Sequence, residues 1–124
     1  EMFIESYQKM LSLLGKLYQA GIPIVAGTDG EGVELVREIE LYEQAGMPRA
    51  AALQTATINP ARLVGIADRT GSITVGKEAD LLLVDGDVSA GLGALRRVNT
   101  VVSDGYVMDG DALRAAAGFS GMPR

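Results

Sequence analysis

The stretch Gly27-Thr28-Asp29-Gly30 closes a short apolar run, Ile22-Pro23-Ile24-Val25-Ala26. A nearly continuous apolar run of this length predicts a strand covered on both faces, as in a parallel sheet. In a barrel of alternating strands and helices, the C-terminal end of such a strand is where chemistry is placed. Asp29 is therefore a candidate catalytic carboxylate. Thr28 is a candidate substrate-binding residue, since its hydroxyl could hydrogen-bond a substrate or support Asp29. Each has a plain structural alternative: Asp-Gly forms turns, Asp caps helices, and Thr closes strand ends. Gly27 and Gly30 read as residues of backbone geometry. Gly30-Glu31-Gly32 precedes a helix and could cradle an anion, but it lacks the spacing of a dinucleotide or phosphate loop.

What surrounds that carboxylate is limited by composition. The 124-residue chain contains no histidine and no cysteine. A self-contained Ser-His-Asp site, a His-based zinc site, a thiolate zinc site and a disulfide framework are all excluded. With 48% hydrophobic and 22% charged residues the chain is globular and of a length for one ordinary domain. A net charge of −5 with scattered basic residues argues against a nucleic-acid partner or an acidic membrane. No apolar run approaches the roughly 20 residues of a membrane helix, and the N-terminal stretch is amphipathic, unlike a signal peptide. The absence of cysteine is compatible with a cytoplasmic location.

The elements that must position Asp29 are legible on either side. Residues 2–19 predict a helix whose apolar stripe (Ile4, Tyr7, Leu11, Leu14, Tyr18), widened by Phe3, Met10, Leu13 and Leu17, is expected to be well buried. Gly21 ends it and the apolar strand 22–26 follows, the αβ half of a βαβ-type unit. After Asp29 a second helix ends at Gly46, with Leu35, Val36, Ile39 and Tyr42 on one side and Glu34, Arg37 and Glu38 mainly on the other. Pro48 opens a third helix in its first turn. Asn59-Pro60 stops that helix and starts a short further turn, with Asn59 as its cap. From Thr70 the pattern turns to β: a strand at 80–85, then two strands, 98–102 and 106–108, joined by a two-residue hairpin turn at Asp104-Gly105. A short helix and a loose tail complete the chain.

Taken together, "GIPIVAGTD", "ELVREIELYEQAGMPRAAALQTATINPARLVGI", "GSITVGKEADLLLVDGD" and "VVSDGYVMDG" resemble the C-terminal end of metal-dependent amidohydrolases, closest to the imidazolonepropionase-like and prolidase-like group, over roughly residues 10 to 110. The order and spacing of "ATINPARLVGI" and "GSITVGKEADLLLVD" carry most of the likeness; "GTD" alone is weak. The resemblance implies an α/β fold. The chain would be a C-terminal piece of a (β/α)8 barrel, its last strand and flanking helices at 1–66, followed by strands of a small β-sandwich at 67–112 and a tail at 113–124. It implies that Asp29 binds a divalent metal, zinc foremost, and serves in proton transfer with the attacking water. The other ligands of that family, a His-x-His among them, lie upstream of this region and have no counterpart here.

The chain is therefore expected to be a fragment of a hydrolase cleaving C–N bonds in a cyclic amide or a dipeptide. By itself it would be inactive and hold no metal tightly, and its partner would be the remainder of its parent or a copy of itself. The alternative is a non-catalytic interaction or assembly module built from amidohydrolase parts. Asp80, Asp85 and Asp87 are read as strand-end and turn residues, since their spacing is not that of a calcium loop. Asn59, Pro60 and Arg62 are read as fold residues, Arg62 as a possible partner of a helix-end carboxylate.

Overall fold

The computed structural model describes residues 2–30 and 34–120. In chain order it contains α1 (Met2–Gln19), α2 (Leu35–Gln44), α3 (Arg49–Gln54), α4 (Ile58–Leu63), β1 (Leu81–Val84), a 3-10 helix (Leu92–Arg96), β2 (Val98–Ser103), β3 (Tyr106–Asp109) and α5 (Gly110–Ala116). Helices thus precede a small sheet, the mixed α/β order that the change of periodicity near Thr70 predicts.

The buried centre is made by α2, α3 and the 3-10 helix. Ile39, Tyr42, Met47, Ala52 and Leu92 form it, and Leu14 and Tyr18 of α1 and Ile24 and Ala26 of the connecting segment pack against it. Gly15 lets α1 approach the end of α2: a Cβ there would stand 2.3 Å from the Ala45 carbonyl oxygen. The rest of α1 departs from expectation. Phe3 is 85% exposed and Met10 70%, and Ile4 and Leu13 also face outward. A helical apolar stripe marks a face that needs covering; Leu14 and Tyr18 pack against the core, and the Tyr7 hydroxyl donates to Gln44 of α2 at 3.3 Å.

The predicted strand at 22–26 is not one here. Residues 22–28 belong to neither helix nor ladder. A strand is defined by its hydrogen-bonded neighbours, and among the described residues none runs beside this segment. Its apolar side chains are nonetheless used, since Ile24 and Ala26 reach the core.

Three strands form one antiparallel sheet in the order β1-β2-β3. Leu82 faces Val101, which faces Met108; Leu81 faces Val102, which faces Val107. Asp104 (φ 49°) and Gly105 (φ 79°) both take positive φ, as a type I′ hairpin turn requires. The outer edges of β1 and β3 have no strand beside them among the described residues. Asp109 caps α5 by accepting the Ala112 N–H at 2.8 Å, so this helix starts earlier than its alanine-rich stretch suggests. Pro48 immediately precedes α3, and Asn59 and Pro60 lie inside α4, whose cap position is Thr57. Proline fits the first turn of α4 because that turn's N–H groups have no intrahelical acceptor; Asn59 is thereby freed for another task.

An ion pair ties the helical half to the β half. Arg96 of the 3-10 helix grips Glu40 of α2 with both guanidinium Nη atoms, Nη2 lying 2.9 Å from Oε2, and Arg37 adds a longer contact of 3.6 Å. The Arg96 hydrogen bonds hold the Glu40 carboxyl below the ordinary glutamate value of 4.5. Glu40 then binds its proton less readily folded than unfolded. Its contribution is complete above about pH 4.5 and disappears as the pH falls through the lowered folded value. We predict that Glu40→Gln flattens the acid side of the stability-versus-pH curve and costs about 1 kcal/mol at neutral pH. Urea unfolding from pH 7 to pH 3 checks this; parallel acid limbs in variant and wild type would contradict it.

Candidate functional site

The segment leading to Asp29 is held by a different helix at each of three points. The Asn59 amide, in the first turn of α4, donates from Nδ2 to the Ile24 carbonyl at 3.2 Å. The Ala26 N–H donates to the carbonyl of Thr55, the C-cap of α3, at 2.8 Å. The Gly27 N–H donates to Oε1 of Glu38, in the first turn of α2, at 3.3 Å. Thr55 is fully buried and its hydroxyl is satisfied by the Ala52 carbonyl at 2.6 Å. The Tyr42 hydroxyl also donates to Glu38 Oε1. Burial, with the Glu38 carboxylate beside it second, pushes the Tyr42 phenol well above its usual range, so it is a permanent donor at physiological pH.

Sequence reasoning missed this arrangement. Glu38 was expected on the polar side of α2, yet its carboxylate turns in toward the 24–27 segment. The available signal was the spacing of Glu38 and Tyr42, which places both on one helix face. Asn59 was expected to cap a helix; it clamps a backbone carbonyl instead. Gly27 and Gly30 carry no geometric demand. Neither adopts a left-handed backbone; among the described residues a Cβ at Gly27 would meet nothing within 4 Å, and the atoms nearest one at Gly30 belong to the end of the flexible Glu34 side chain. Of Gly30-Glu31-Gly32, the last two residues lie outside the described residues.

Asp29 is exposed and Thr28 half-buried, and neither makes a hydrogen bond or ion pair among the described residues. No group of three or more Asp, Glu, His or Cys side chains converges anywhere among those residues. One exposed carboxylate does not fit a metal centre, which needs three or four ligands. Among the described residues, hollows lie near the clamp. An open one of about 670 Å³ lies between α3–α4 and β1, lined by Leu53, Ala61, Val64, Leu81 and Val84 among others. A smaller one of about 180 Å³ lies beside Tyr18, Pro23, Met47 and Asn59. Neither reaches Thr28 or Asp29.

Asp80 and Asp87 have local work, as strand-end and turn residues do. Asp80 accepts from Ser103 Oγ at 2.8 Å. Asp87 closes a turn by accepting from the Ser89 hydroxyl at 2.6 Å and its N–H at 2.8 Å, bonds that hold its carboxyl below the usual aspartate value. Arg62 has no carboxylate partner among the described residues.

The chain belongs to the amidohydrolase family, whose model matches residues 6–109. This family comprises hydrolases acting on C–N bonds and is generally metal-dependent. The chain is 48% identical over 60 residues to imidazolonepropionase of Shewanella frigidimarina, covering 46% of this chain and 15% of that protein. It is 30% identical over 118 residues to 5-methylthioadenosine/S-adenosylhomocysteine deaminase of Moorella thermoacetica, covering 75% and 28%. Among solved structures it is similar to a Xaa-Pro dipeptidase with methionine bound in its active site, with a TM-score of 0.75 and 34% identity over 81% of this chain and 25% of that one. The chain thus spans 28% or less of the length of each.

Proposed function

We propose that this chain is the C-terminal part of a metal-dependent hydrolase that cleaves a C–N bond in a cyclic amide or dipeptide. The observation that carries this reading is the clamp of α2, α3 and α4 on residues 24–27, which presents Asp29 beyond its last anchored peptide. Asp29 would supply one oxygen ligand and a proton-accepting carboxylate to a centre completed outside this chain. Thr28 would face the substrate beside it. Residues 1–66 would be the last barrel strand with its helices, 67–112 strands of a composite sandwich, and 113–124 a tail. The relatives support the reaction class, being named as acting on an imidazolone, on adenosine derivatives and on Xaa-Pro dipeptides.

A second reading, a non-catalytic assembly module, is favoured by one observation: no metal-ligating group of three converges among the described residues. Metal separates the two readings from a self-sufficient enzyme. Dialysed against zinc and then buffer, the 124-residue chain is expected to retain no stoichiometric ion, with affinity no better than about millimolar for a lone carboxylate. The longer protein should retain metal and hydrolyse a dipeptide or cyclic amide until a chelator is added. A chelator-resistant ion on the short chain would overturn the split-site reading. A metal-free longer protein with no hydrolysis would favour the assembly module.

A further inference from the structure

We infer that Glu38 is the positioning residue for Asp29, fixing the backbone that delivers this carboxylate by accepting the Gly27 N–H. The inference rests on Asp29 serving as proposed. Of the three anchors on this segment, the Glu38 bond lies nearest Asp29, and no later one is made by residues 28–30 among the described residues. It is also the charged one, and hydrogen bonds to a carboxylate are stronger than those between neutral groups. The carboxylate is itself held in place, because the buried Tyr42 hydroxyl donates to the same Oε1.

Glu38 Oε2 is buried with no partner among the described residues. A carboxylate so placed costs stability that an apolar side chain at this position would not, as expected of a residue kept for placement of the site. The Asn59 and Thr55 anchors use a neutral amide and a backbone carbonyl, so neither duplicates its role.

The test is made in the longer protein that carries this segment. Glu38→Ala is expected to lower kcat by about 10- to 100-fold, the scale of a roughly 1 Å misplacement. KM should stay within about twofold, and amide exchange at Gly27 should accelerate. Glu38→Gln, whose amide oxygen still accepts the Gly27 N–H, should restore kcat to within about threefold and slow that exchange again. Wild-type kcat in Glu38→Ala, or equal losses in both variants, would overturn the inference. Should Glu38→Ala not fold, Glu38→Asp replaces it: the shorter side chain withdraws the acceptor, so kcat should fall while Glu38→Gln keeps it, and the reverse order would overturn the inference. Asp29→Ala read in parallel separates the two levels. An active Asp29→Ala sinks the proposed function, whereas an inactive Asp29→Ala beside fully active Glu38 variants sinks only the role of Glu38.

Discussion

Asp29→Ala, made in the longer hydrolase proposed above, is expected to lower kcat by about 1,000-fold or more while that protein melts within a few degrees of wild type. Removing a group that exchanges protons with a reacting centre typically costs 10²- to 10⁴-fold. The fold should not notice. Asp29 is exposed and holds no hydrogen bond or ion pair among the described residues, and surface substitutions away from such features fall within about 0.5 kcal/mol. The clamp ends at Gly27, so the backbone path to residue 29 does not depend on the aspartate. Steady-state kinetics beside a thermal melt check this. Near-normal turnover would return Asp29 to the ordinary role of an Asp at a bend after an apolar segment. Loss of turnover together with collapse of the melt would mean that the side chain supports the fold.

The isolated 124-residue chain is expected to self-associate or aggregate. Its apolar surface is extensive and lies in patches. On α1, Phe3, Ile4, Met10 and Leu13 face outward, and in the loop before β1 Ile73 is 90% and Val75 103% exposed. Leu63 and Val64 at the end of α4 are open, and Val64 lines the hollow whose far wall is β1. Among the described residues neither outer edge of the sheet has a strand beside it, and such an edge is a template for pairing with another chain. Exposed apolar side chains gathered on one helix face or in one loop suit a surface that meets a partner. Light scattering should therefore report a mass well above 13.0 kDa, and urea unfolding should be broad or dependent on protein concentration. A monodisperse monomer with a single sharp transition would defeat this expectation and favour the assembly module.

Local signals carried much of the fold. The stripe of α1 and the glycine after it delimit a helix that the structure places at Met2–Gln19, and Asp104-Gly105 marks the hairpin between β2 and β3. What failed depended on partners. Periodicity shows that the Phe3–Met10–Leu13 face is apolar, but not whether anything covers it. Residues 22–26 carry a strand's composition, yet a strand needs neighbours to bond with. The inward turn of Glu38 joins residues 11 positions apart, and the Glu40–Arg96 pair joins residues 56 apart. No local pattern encodes the second contact, and only the Glu38–Tyr42 spacing hints at the first. A carboxylate ending an apolar run is a local feature, so Asp29 can be put forward as a candidate from the sequence alone. The clamp that holds its backbone cannot, since its bonds fall on backbone groups and use side chains, Glu38 and Asn59, that local rules assign to a solvent face and a helix cap.

The central claim is that Asp29 is one member of a centre completed by residues outside this chain. Sequencing the reading frame upstream of codon 1 tests it most directly. The account predicts a continuous frame of roughly 250 further residues, the bulk of a barrel, with a His-x-His near its beginning to join Asp29 as metal ligands. An in-frame stop immediately upstream, or a long extension without such a histidine pair, would contradict it.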